Sequence, residues 1–465
     1  MEPLAEHEDT LSRALRHLED RTSFAEALAE RSGGFAFRLD TSTTRAESSP
    51  RIEGVVFRAW DGKRWSETAS ASLEPAAVGR CVDSLRARLS SSAIGSQPPG
   101  EPTKGRAEQV MSLQRASRDV APEERERLAR SWFSWATSVP GIKNAVASIG
   151  EEDDERLYVS TFGAFRYQRV SRIAASVVPL AIENGKVEYD GLVEGRLGGF
   201  ETLEGVITED AVTAVAKDAL ALLGASSPPT GTMAVLMDPS TSGTFAHESF
   251  GHGTEADQLL RNRSYLKPIL GEVVAPEILS LVDDGSLSDG YGTIYFDDEG
   301  RATERTTMVD HGRFVEVLHN RESAAQMGRR PRGNTRRSNF LGRPFVRMTN
   351  TFVEPGNSSY DELVKETRDG VLLQHCTSGI EDPLGGQMQI KVKKARRIER
   401  GELTTLHSSM ALSGRVLDVL RSVRGVSRKE DFAMTPGACG KGHSDPIPVA
   451  TGGTYLLVHA VVGPA

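Results

Sequence analysis

Two histidines and a glutamate lie close together in the stretch Thr244 to Asp257, TFAHESFGHGTEAD. His247 and Glu248 are adjacent and His252 follows after three further residues, so the pattern is H-E-x-x-x-H. Imidazole nitrogens are common ligands of Zn²⁺, and a glutamate beside them can act as a general base. The pattern is one residue longer than H-E-x-x-H, the spacing that places two imidazoles on one face of a helix.

The extra residue makes a prediction about the backbone. An α-helix turns about 100° per residue, so positions i and i+5 point about 140° apart and cannot share an ion. Either a π-type turn brings His252 back over His247, or the helix ends at Gly251 and a loosened turn does so. Gly251 and Gly253 provide the backbone freedom that both solutions need. We therefore predict a bulge or a break at Phe250–Gly251. The alternative interpretation is two ordinary histidines at a helix end.

The elements that position this motif are a short apolar strand, MAVLMD, and a helix that follows it. Serine and threonine are favoured at the first position of a helix, because their side-chain oxygens accept from its free N–H groups. Ser240, Thr241 and Ser242 are therefore the candidate N-caps.

A zinc site needs a third protein ligand, and two cysteines are candidates. Cys439 lies in the glycine-dense stretch TPGACGKGHSDPIPVATGG, and Lys441 is near enough in sequence to favour its thiolate. Cys376 has His375 beside it and is the rival candidate. Cys81 lies in a helical pattern and is interpreted as part of the core. A lone cysteine is also commonly a small buried hydrophobic residue.

Composition describes an ordinary globular protein with room for two or three domains in 465 residues. It is 38% hydrophobic and 26% charged, and it has no apolar run of membrane-spanning length, so no membrane association is expected. The net charge of −8 argues against nucleic acid as a partner. Three distant cysteines and a polar N-terminus without a signal-peptide pattern lead us to expect a cytoplasmic protein.

Two Pro/Gly/Ser-rich stretches divide the chain, at residues 92–107 and 225–232. We predict an N-terminal α+β domain over residues 1–225, with a further division near 92–107, and a strand-rich domain over residues 232–465 with mainly antiparallel sheets. Helical spacing of apolar residues is found over 9–31 and again from Thr208 to Gly224. Ser359 and Glu362 fit a capping box. The fold class predicted is α+β, with helices and strands in blocks.

Seven arginines occur between Arg329 and Arg347. A nucleic-acid site would interleave aromatic residues with them, and only Phe340 and Phe345 are present. The remaining interpretations are a solvated or partner-facing loop, or a site that captures peptide carbonyls or a terminal carboxylate through the forked guanidinium donors.

Several blocks of the sequence resemble the TldD/PmbA family of metalloproteases, in its TldD-like branch that carries the histidine motif. They are HESFGHGTEAD, GEVVAPEILSLVDDGSLSDGYGTIYFDDEG, GRRPRGNTRRSNFLGRPFVRMTNTFVEPG and GACGKG, with weaker signatures in GVVFRAWDGKRWSETA and GRLGGFETL. The resemblance covers most of the chain, and the order of the C-terminal blocks is specific.

This resemblance implies a zinc metallopeptidase whose metallopeptidase domain is residues 232–465. His247, His252 and Cys439 would hold Zn²⁺, and Glu248 would be the catalytic base that activates a zinc-bound water. It also implies a dimer, formed with a second copy or with a motif-lacking PmbA/TldE-like paralogue, and unfolded peptides or precursor peptides as substrates. The alternatives are a non-catalytic metal-binding partner subunit and a gyrase-associated modulator. The intact Glu248 argues against the first and the net charge against the second.

The sequence after Cys439, CGKGHSDPIPVATGG, departs from the continuation found in many family members. It adds His443, which as a fourth ligand would make the metal site closed and structural. Ligating imidazoles also need acceptors that orient them. The candidates for that role, each of which could instead be a solvated surface group, are Glu255, Asp257, Asp283 and Asp284.

Overall fold

A computed structural model of the chain describes residues 2–89, 98–442 and 444–465. It confirms the α+β class: one mostly antiparallel sheet comes from the N-terminal half and strand-rich sheets come from the C-terminal half. Among the described helices, none has both the length and the apolar character needed to cross a bilayer.

The helices of the described residues are α1 (Glu8–Arg16), α2 (Pro75–Arg86), α3 (Pro122–Ser138), α4 (Glu209–Leu223), α5 (Pro239–Ala246), α6 (Ala256–Leu260), α7 (Arg321–Met327), α8 (Tyr360–Thr367) and α9 (Val416–Arg421). The predicted ends of α4 are confirmed, since Thr208 caps its first turn and Gly224 ends it. The capping box of Ser359 and Glu362 at α8 is also confirmed.

The first sheet is built from β1 (Ala25–Leu39), β2 (Thr44–Ser48), β3 (Ile52–Trp60), β4 (Trp65–Ser70), β5 (Gly105–Val110), β6 (Ile142–Ser160), β7 (Ala164–Glu183), β8 (Lys186–Tyr189) and β9 (Leu192–Leu197). Its strand order is β4-β3-β1-β6-β7-β5, with β2 on β1 and with β8 and β9 on β7. The boundary predicted at 225–232 lies between the end of α4 and the next strand, and the division into two domains stays a prediction. The break predicted at 92–107 falls partly outside the described residues.

The helix predicted over residues 9–31 is wrong in its second half. The helix α1 ends at Arg16, and the chain from Ala25 onwards is strand β1. Alanine suits either structure, and here Ala25, Ala27 and Ala29 pack with one core cluster while Glu26 is buried on the other face. Glu26 accepts from Arg321 at 2.9 Å, so a partner nearly 300 residues away stabilises the strand.

The remaining strands form the C-terminal half. They are β10 (Gly231–Met237), β11 (Leu281–Asp284), β12 (Arg305–Asp310), β13 (Arg313–Phe314), β14 (Thr335–Arg336), β15 (Phe345–Val346), β16 (Asn350–Val353), β17 (Gly370–Asp382), β18 (Gln387–Glu399), β19 (Glu402–His407), β20 (Met410–Arg415), β21 (Gly425–Val426), β22 (Ala433–Lys441), β23 (Ser444–Gly453) and β24 (Leu456–Pro464).

Two larger sheets and one two-stranded ribbon result from these strands. The order β10-β17-β18-β20-β24 closes on itself through β10–β24 pairing and makes a small barrel. The second sheet has the order β13-β12-β11-β16-β23-β22, and β14 pairs with β15. One large apolar core joins the barrel, the second sheet and α5. This core fixes where α5 lies relative to β17 and β22, the two strands that flank the metal centre described next.

Candidate metal centre

The helix that carries the histidine motif begins two residues earlier than the first of its Ser/Thr candidates suggests. Strand β10 ends at Met237, and Asp238 is the N-cap of α5, with Pro239 at the first helical position. The Asp238 carboxylate accepts from the N–H of Thr241 at 2.8 Å and from its hydroxyl at 2.6 Å. The predicted caps Ser240, Thr241 and Ser242 are therefore wrong. A carboxylate at this end is also favoured by the helix dipole.

Helix α5 approaches the neighbouring hairpin very closely. A Cβ atom on Gly243 would lie 2.2 Å from the backbone nitrogen of Gly452 in β23, a distance that no side chain tolerates. Because both positions are glycine, the two backbones can touch, and the end of α5 reaches the strand pair β22–β23. This contact sets the distance between the motif histidines and Cys439.

The predicted bulge is present as a π-helical turn over His247–Gly251. The N–H of His252 donates to the carbonyl of His247, which is the i to i+5 bond of a π-turn. The two imidazole rings lie 5.0 Å apart between centroids, in an edge-to-face arrangement. A Cβ on Gly251 would lie 2.0 Å from the sulfur of Met348, so this position needs glycine for close packing.

Cys439 approaches both imidazoles from strand β22. Its Sγ lies 3.3 Å from Nε2 of His247 and 3.3 Å from Nε2 of His252. The register of β22 on β23 shifts between Cys439 and Lys441, and such bulges re-aim side chains next to active sites. Burial opposes ionisation of the thiol, but hydrogen bonds with the two imidazoles outweigh it and lower the pKa of Cys439 to about 4.

The donor set fits a metal ion. The ligand atoms of His247, His252 and Cys439 all lie within 4.8 Å of one another. In a tetrahedral zinc site with bonds of about 2.1 and 2.3 Å, a nitrogen and a sulfur ligand are about 3.6 Å apart. The observed separations are within a few tenths of an ångström of that value. A low-pKa thiol is also present as the thiolate that a metal requires.

One of the four acidic candidates orients a motif histidine. Glu255 is fully buried, and its Oε2 lies 3.5 Å from Nδ1 of His252, the ring nitrogen that does not face Cys439. Burial raises the pKa of this carboxyl, but the charges of Lys441 and His252 outweigh it and lower the pKa to about 2. Glu255 therefore remains ionised beside His252, the arrangement that fixes the tautomer of a ligating imidazole.

Lys441 has a different role from the one its sequence position suggests. Its ammonium lies 2.8 Å from Glu255 and 2.7 Å from Asp257, and the partners of the Cys439 thiol are the two imidazoles. Lys441 thus affects the donor group indirectly, through its ion pair with Glu255. Of the other two acidic candidates, Asp284 accepts from Ser286. Asp283 accepts from Thr349, and burial raises its pKa while the charge of His247 is among the groups that oppose this rise.

The rival cysteine does not join the donor group. Cys376 lies in β17, where its N–H donates to the Ser240 hydroxyl at 3.0 Å. Burial raises the pKa of its thiol to about 11, so it is protonated at neutral pH. Within the described residues, only His247, His252 and Cys439 are grouped as donors. His443 lies outside the described residues.

The arginine-rich stretch divides into surface and structural members. Arg336, Arg337 and Arg347 are buried, which excludes a wholly solvated loop. Arg347 donates to the backbone carbonyl of Cys439 and lies 3.6 Å from Glu255. Arg347 therefore helps to hold the backbone of Cys439 and the carboxylate of Glu255 in place. No local sequence pattern indicates this role.

A pocket of about 410 Å³ opens directly onto the donor group. One wall is the end of β17 at Gly379, Ile380 and Glu381, and the other is β22 from Ala438 to Lys441. Glu248 lies against the β17 wall: a Cβ on Gly379 would meet its Cγ at 2.4 Å. No local sequence pattern indicates Gly379 or Glu381 as part of the site, because only the register of the barrel places them opposite the motif.

Replacing Gly379 with alanine is expected to displace Glu248 while leaving the metal ligands in place. The added methyl group overlaps the flexible Glu248 side chain, so the carboxylate must move by a large part of an ångström. Misplacement by about 1 Å can lower activity about 100-fold. We expect a loss of that order in kcat/KM with unchanged zinc content, measured by peptide cleavage and elemental analysis.

Gly437→Ala is the matched control, since a Cβ there makes only ordinary contact, 3.8 Å from Val449. This variant lies two residues from Cys439 in the same strand. Equal activity of the two variants would show that Gly379 does not position Glu248.

Comparison with known proteins places this geometry in a family. Residues 230–462 match the PmbA/TldA metallopeptidase C-terminal domain. The chain is 30% identical over 457 residues to a metalloprotease of Methanothermobacter thermautotrophicus, with 98% of both chains covered. It is also 28% identical over 237 residues to a zinc metalloprotease TldD homolog of Saccharolobus solfataricus, covering 51% of this chain and 52% of that protein.

Two crystal structures share the fold. A Thermotoga maritima protein described as a candidate modulator of a DNA gyrase has a TM-score of 0.79 at 20% identity, covering 98% of this chain and 100% of that chain. TldE from Thermococcus kodakarensis has a TM-score of 0.75 at 16% identity, with the same coverage. At these identities the likeness concerns the fold alone. The domain match and the 30% identity across nearly the whole chain establish more: this chain belongs to the TldD/PmbA family of metalloproteases.

Proposed function

We propose that this metalloprotease is a zinc-dependent peptidase that hydrolyses unfolded peptides or precursor peptides, with Glu248 as its general base. The observation that carries the proposal is the meeting of three donor atoms within 4.8 Å beside a pocket into which Glu248 projects. Two imidazoles and a thiolate are a ligand set typical of zinc, and a zinc metalloprotease is among the relatives.

The position of Glu248 supports its role. It follows His247 directly, so its side chain lies beside the donor group without belonging to it. Within the described part of the chain, no hydrogen bond or ion pair engages its carboxylate, which is therefore available to accept a proton. When bound at the three donors, zinc would polarise a substrate carbonyl and acidify a water molecule. Glu248 Oε would take the proton of the attacking water and deliver it to the leaving amine.

Two open strand edges support an extended peptide as substrate. In the described residues β10 pairs with β17 only over Gly370–Leu373, so the following part of β17 has β18 on one side alone. Strand β22 is the last strand of its sheet. Both edges border the pocket, and open edges bind extended chains through backbone hydrogen bonds. Most backbone groups of a folded protein are already paired internally, whereas those of an unfolded chain are available to such an edge.

The test uses one substrate in two states. A small disulfide-containing protein is offered to the zinc-loaded chain either native or reduced and alkylated. We expect fragments only from the unfolded form, their loss on treatment with a chelator and their return on adding Zn²⁺. Cleavage of the native form at the same rate would contradict the unfolded substrate. Cleavage that survives removal of all metal would contradict the zinc mechanism.

We also propose that the chain works as a dimer, either with a second copy or with a motif-lacking PmbA/TldE-like paralogue. Family membership supports the proposal, as does the exposure of two apolar side chains beside the pocket, Ile380 at 63% and Leu384 at 66%. Light scattering on the purified chain decides between the forms, because a homodimer has twice the mass of the chain and an obligate heterodimer leaves it monomeric.

A further inference from the structure

The pocket beside the metal centre contains a second carboxyl group to which the proposed mechanism assigns no role. Glu381 lies in β17 and forms part of the pocket wall. Both of its carboxyl oxygens are buried and have no hydrogen-bond partner in the described structure. Burying a carboxyl without partners opposes folding, and such groups concentrate at functional sites. Glu381 does not belong to the metal-donor group.

The other charges of the pocket are already neutralised. Lys441 binds Glu255 and Asp257, and Glu255 also faces His252. Tyr265 lies near Glu381, but its hydroxyl donates to the backbone carbonyl of Ser249 at 2.6 Å. Within the residues that the structure describes, the carboxyl groups of Glu248 and Glu381 are the two in the wall without a hydrogen-bond or ion-pair partner. Since Glu248 is the proposed base, Glu381 is available to the substrate.

Strand geometry gives the distance between Glu381 and the proposed cleavage point. Gly379 and Glu381 are two residues apart in β17, so they project from the same face and lie about 7 Å apart along the strand. Gly379 contacts Glu248. An extended peptide advances about 3.3 Å per residue, so a group that meets Glu381 belongs to a residue within about two positions of the cleaved bond.

The charge around Glu381 favours a cationic partner. Burial raises the pKa of Glu381; the charge of His252 opposes this, and Glu248 and Glu255 reinforce it, so that the pKa reaches about 9. The charge of His252 lowers the pKa of Glu381, but His252 is committed to Cys439 and Glu255. An ammonium or guanidinium group would supply both the hydrogen bonds and the charge that this carboxyl lacks.

We propose that Glu381 is a specificity-determining residue that binds a positively charged group of the peptide, within about two residues of the cleaved bond. The inference rests on the proposed peptidase function for its setting, but binding can be measured without hydrolysis. The cation could be a lysine or arginine side chain or the free amino terminus of the peptide. Both have the same chemistry, and suitable peptides distinguish them.

The experiment uses three fluorescent, unfolded peptides and zinc-loaded protein carrying Glu248→Gln, which keeps the peptide intact. The first peptide has one central lysine and blocked ends, the second has norleucine in its place, and the third is the norleucine peptide with a free amino terminus. Affinity is measured by fluorescence anisotropy at physiological ionic strength, where exposed carboxylates are largely screened. We expect at least one cationic peptide to bind about tenfold to hundredfold tighter than the blocked norleucine peptide.

Adding Glu381→Gln to this background is expected to abolish that preference, because the amide keeps the shape but cannot ionise to pair with a bound cation. Asp382→Asn is the matched control: it removes the adjacent carboxylate, which is exposed and outside the pocket wall, and the preference should remain. The proposal is overturned if all three peptides bind alike, if the Glu381→Gln protein keeps the preference, or if Asp382→Asn removes it equally.

If the Glu381→Gln protein fails to fold, the comparison of the three peptides on protein that retains Glu381 still tests the proposal. Cleavage by the wild type adds an independent result, since mass spectrometry should place the cut within about two residues of the cation. Cuts scattered without regard to the cation would contradict the assigned position. Absence of any cleavage would contradict the peptidase function, while the binding results would still decide the role of Glu381.

Discussion

Glu248→Gln is expected to lower kcat/KM for peptide cleavage by about 10²–10⁴-fold, the usual contribution of a general base. This range corresponds to about 2.7–5.5 kcal/mol of transition-state stabilisation. The amide has nearly the same shape as the carboxylate but cannot accept the proton of a water molecule. Because Glu248 lies outside the donor group, zinc content should remain at the wild-type level.

The measurement pairs initial cleavage rates on one unfolded peptide with zinc content by elemental analysis. Glu272→Gln is the matched control, since Glu272 is an exposed glutamate of the same half of the chain and lies outside the pocket wall. A Glu248→Gln protein with full zinc and full activity would exclude Glu248 as the base. Loss of zinc together with activity would instead make Glu248 part of the metal site.

Cys439→Ser is expected to weaken zinc binding by more than about 100-fold. Loss of a group that only supports a ligand costs about 10–100-fold in metal affinity, so loss of the ligand itself should exceed that range. Serine preserves the size of the side chain but lacks the thiolate, which in the wild type is held by two hydrogen bonds of 3.3 Å to the motif imidazoles. Competition with a chromophoric chelator gives the affinity, and peptide cleavage should fall in parallel.

Cys376→Ser tests the rival cysteine under identical conditions. Cys376 is protonated at neutral pH and lies outside the donor group, so zinc affinity should match that of the wild type. If Cys376→Ser released the metal and Cys439→Ser retained it, the ligand assignment would be reversed. The two serine variants together with Glu248→Gln separate loss of metal from loss of the base.

The histidine motif shows how far local geometry alone can predict a site. The spacing of His247 and His252 excludes a regular α-helix at the metal, since i and i+5 diverge by about 140°. The π-turn at His247–Gly251 is one of the two solutions that this spacing allows, and it is the one observed. A Cβ on Gly251 would collide with Met348, which comes from a distant segment. Close packing is therefore a second reason for glycine at this position, besides the backbone freedom inferred from the sequence.

The two wrong predictions have different physical causes: a distant partner decided the first, and a stronger local cap decided the second. The apolar spacing over residues 9–31 suits a helix, but the alanines of β1 have no strong preference for helix over strand. Packing in the core of the first sheet places them in a strand. At the start of α5, three hydroxyl residues compete as caps. Asp238 takes the position because its carboxylate can accept from Thr241 twice.

The sequence by itself determined the fold class, the family, the spacing of the histidine pair, the glutamate beside it and the need for a distorted turn, because these depend on residue types and on spacing within a few residues. The sequence favoured Cys439 over Cys376 only through its glycine-dense surroundings, the nearby Lys441 and the family resemblance, and the tertiary structure shows the contact itself, since sheet register places Cys439 3.3 Å from both rings. The tertiary structure also revealed Arg347 behind the thiolate and Glu381 in the pocket wall. Contacts across 90 or more residues depend on how strands pair and pack, and no local pattern carries that information.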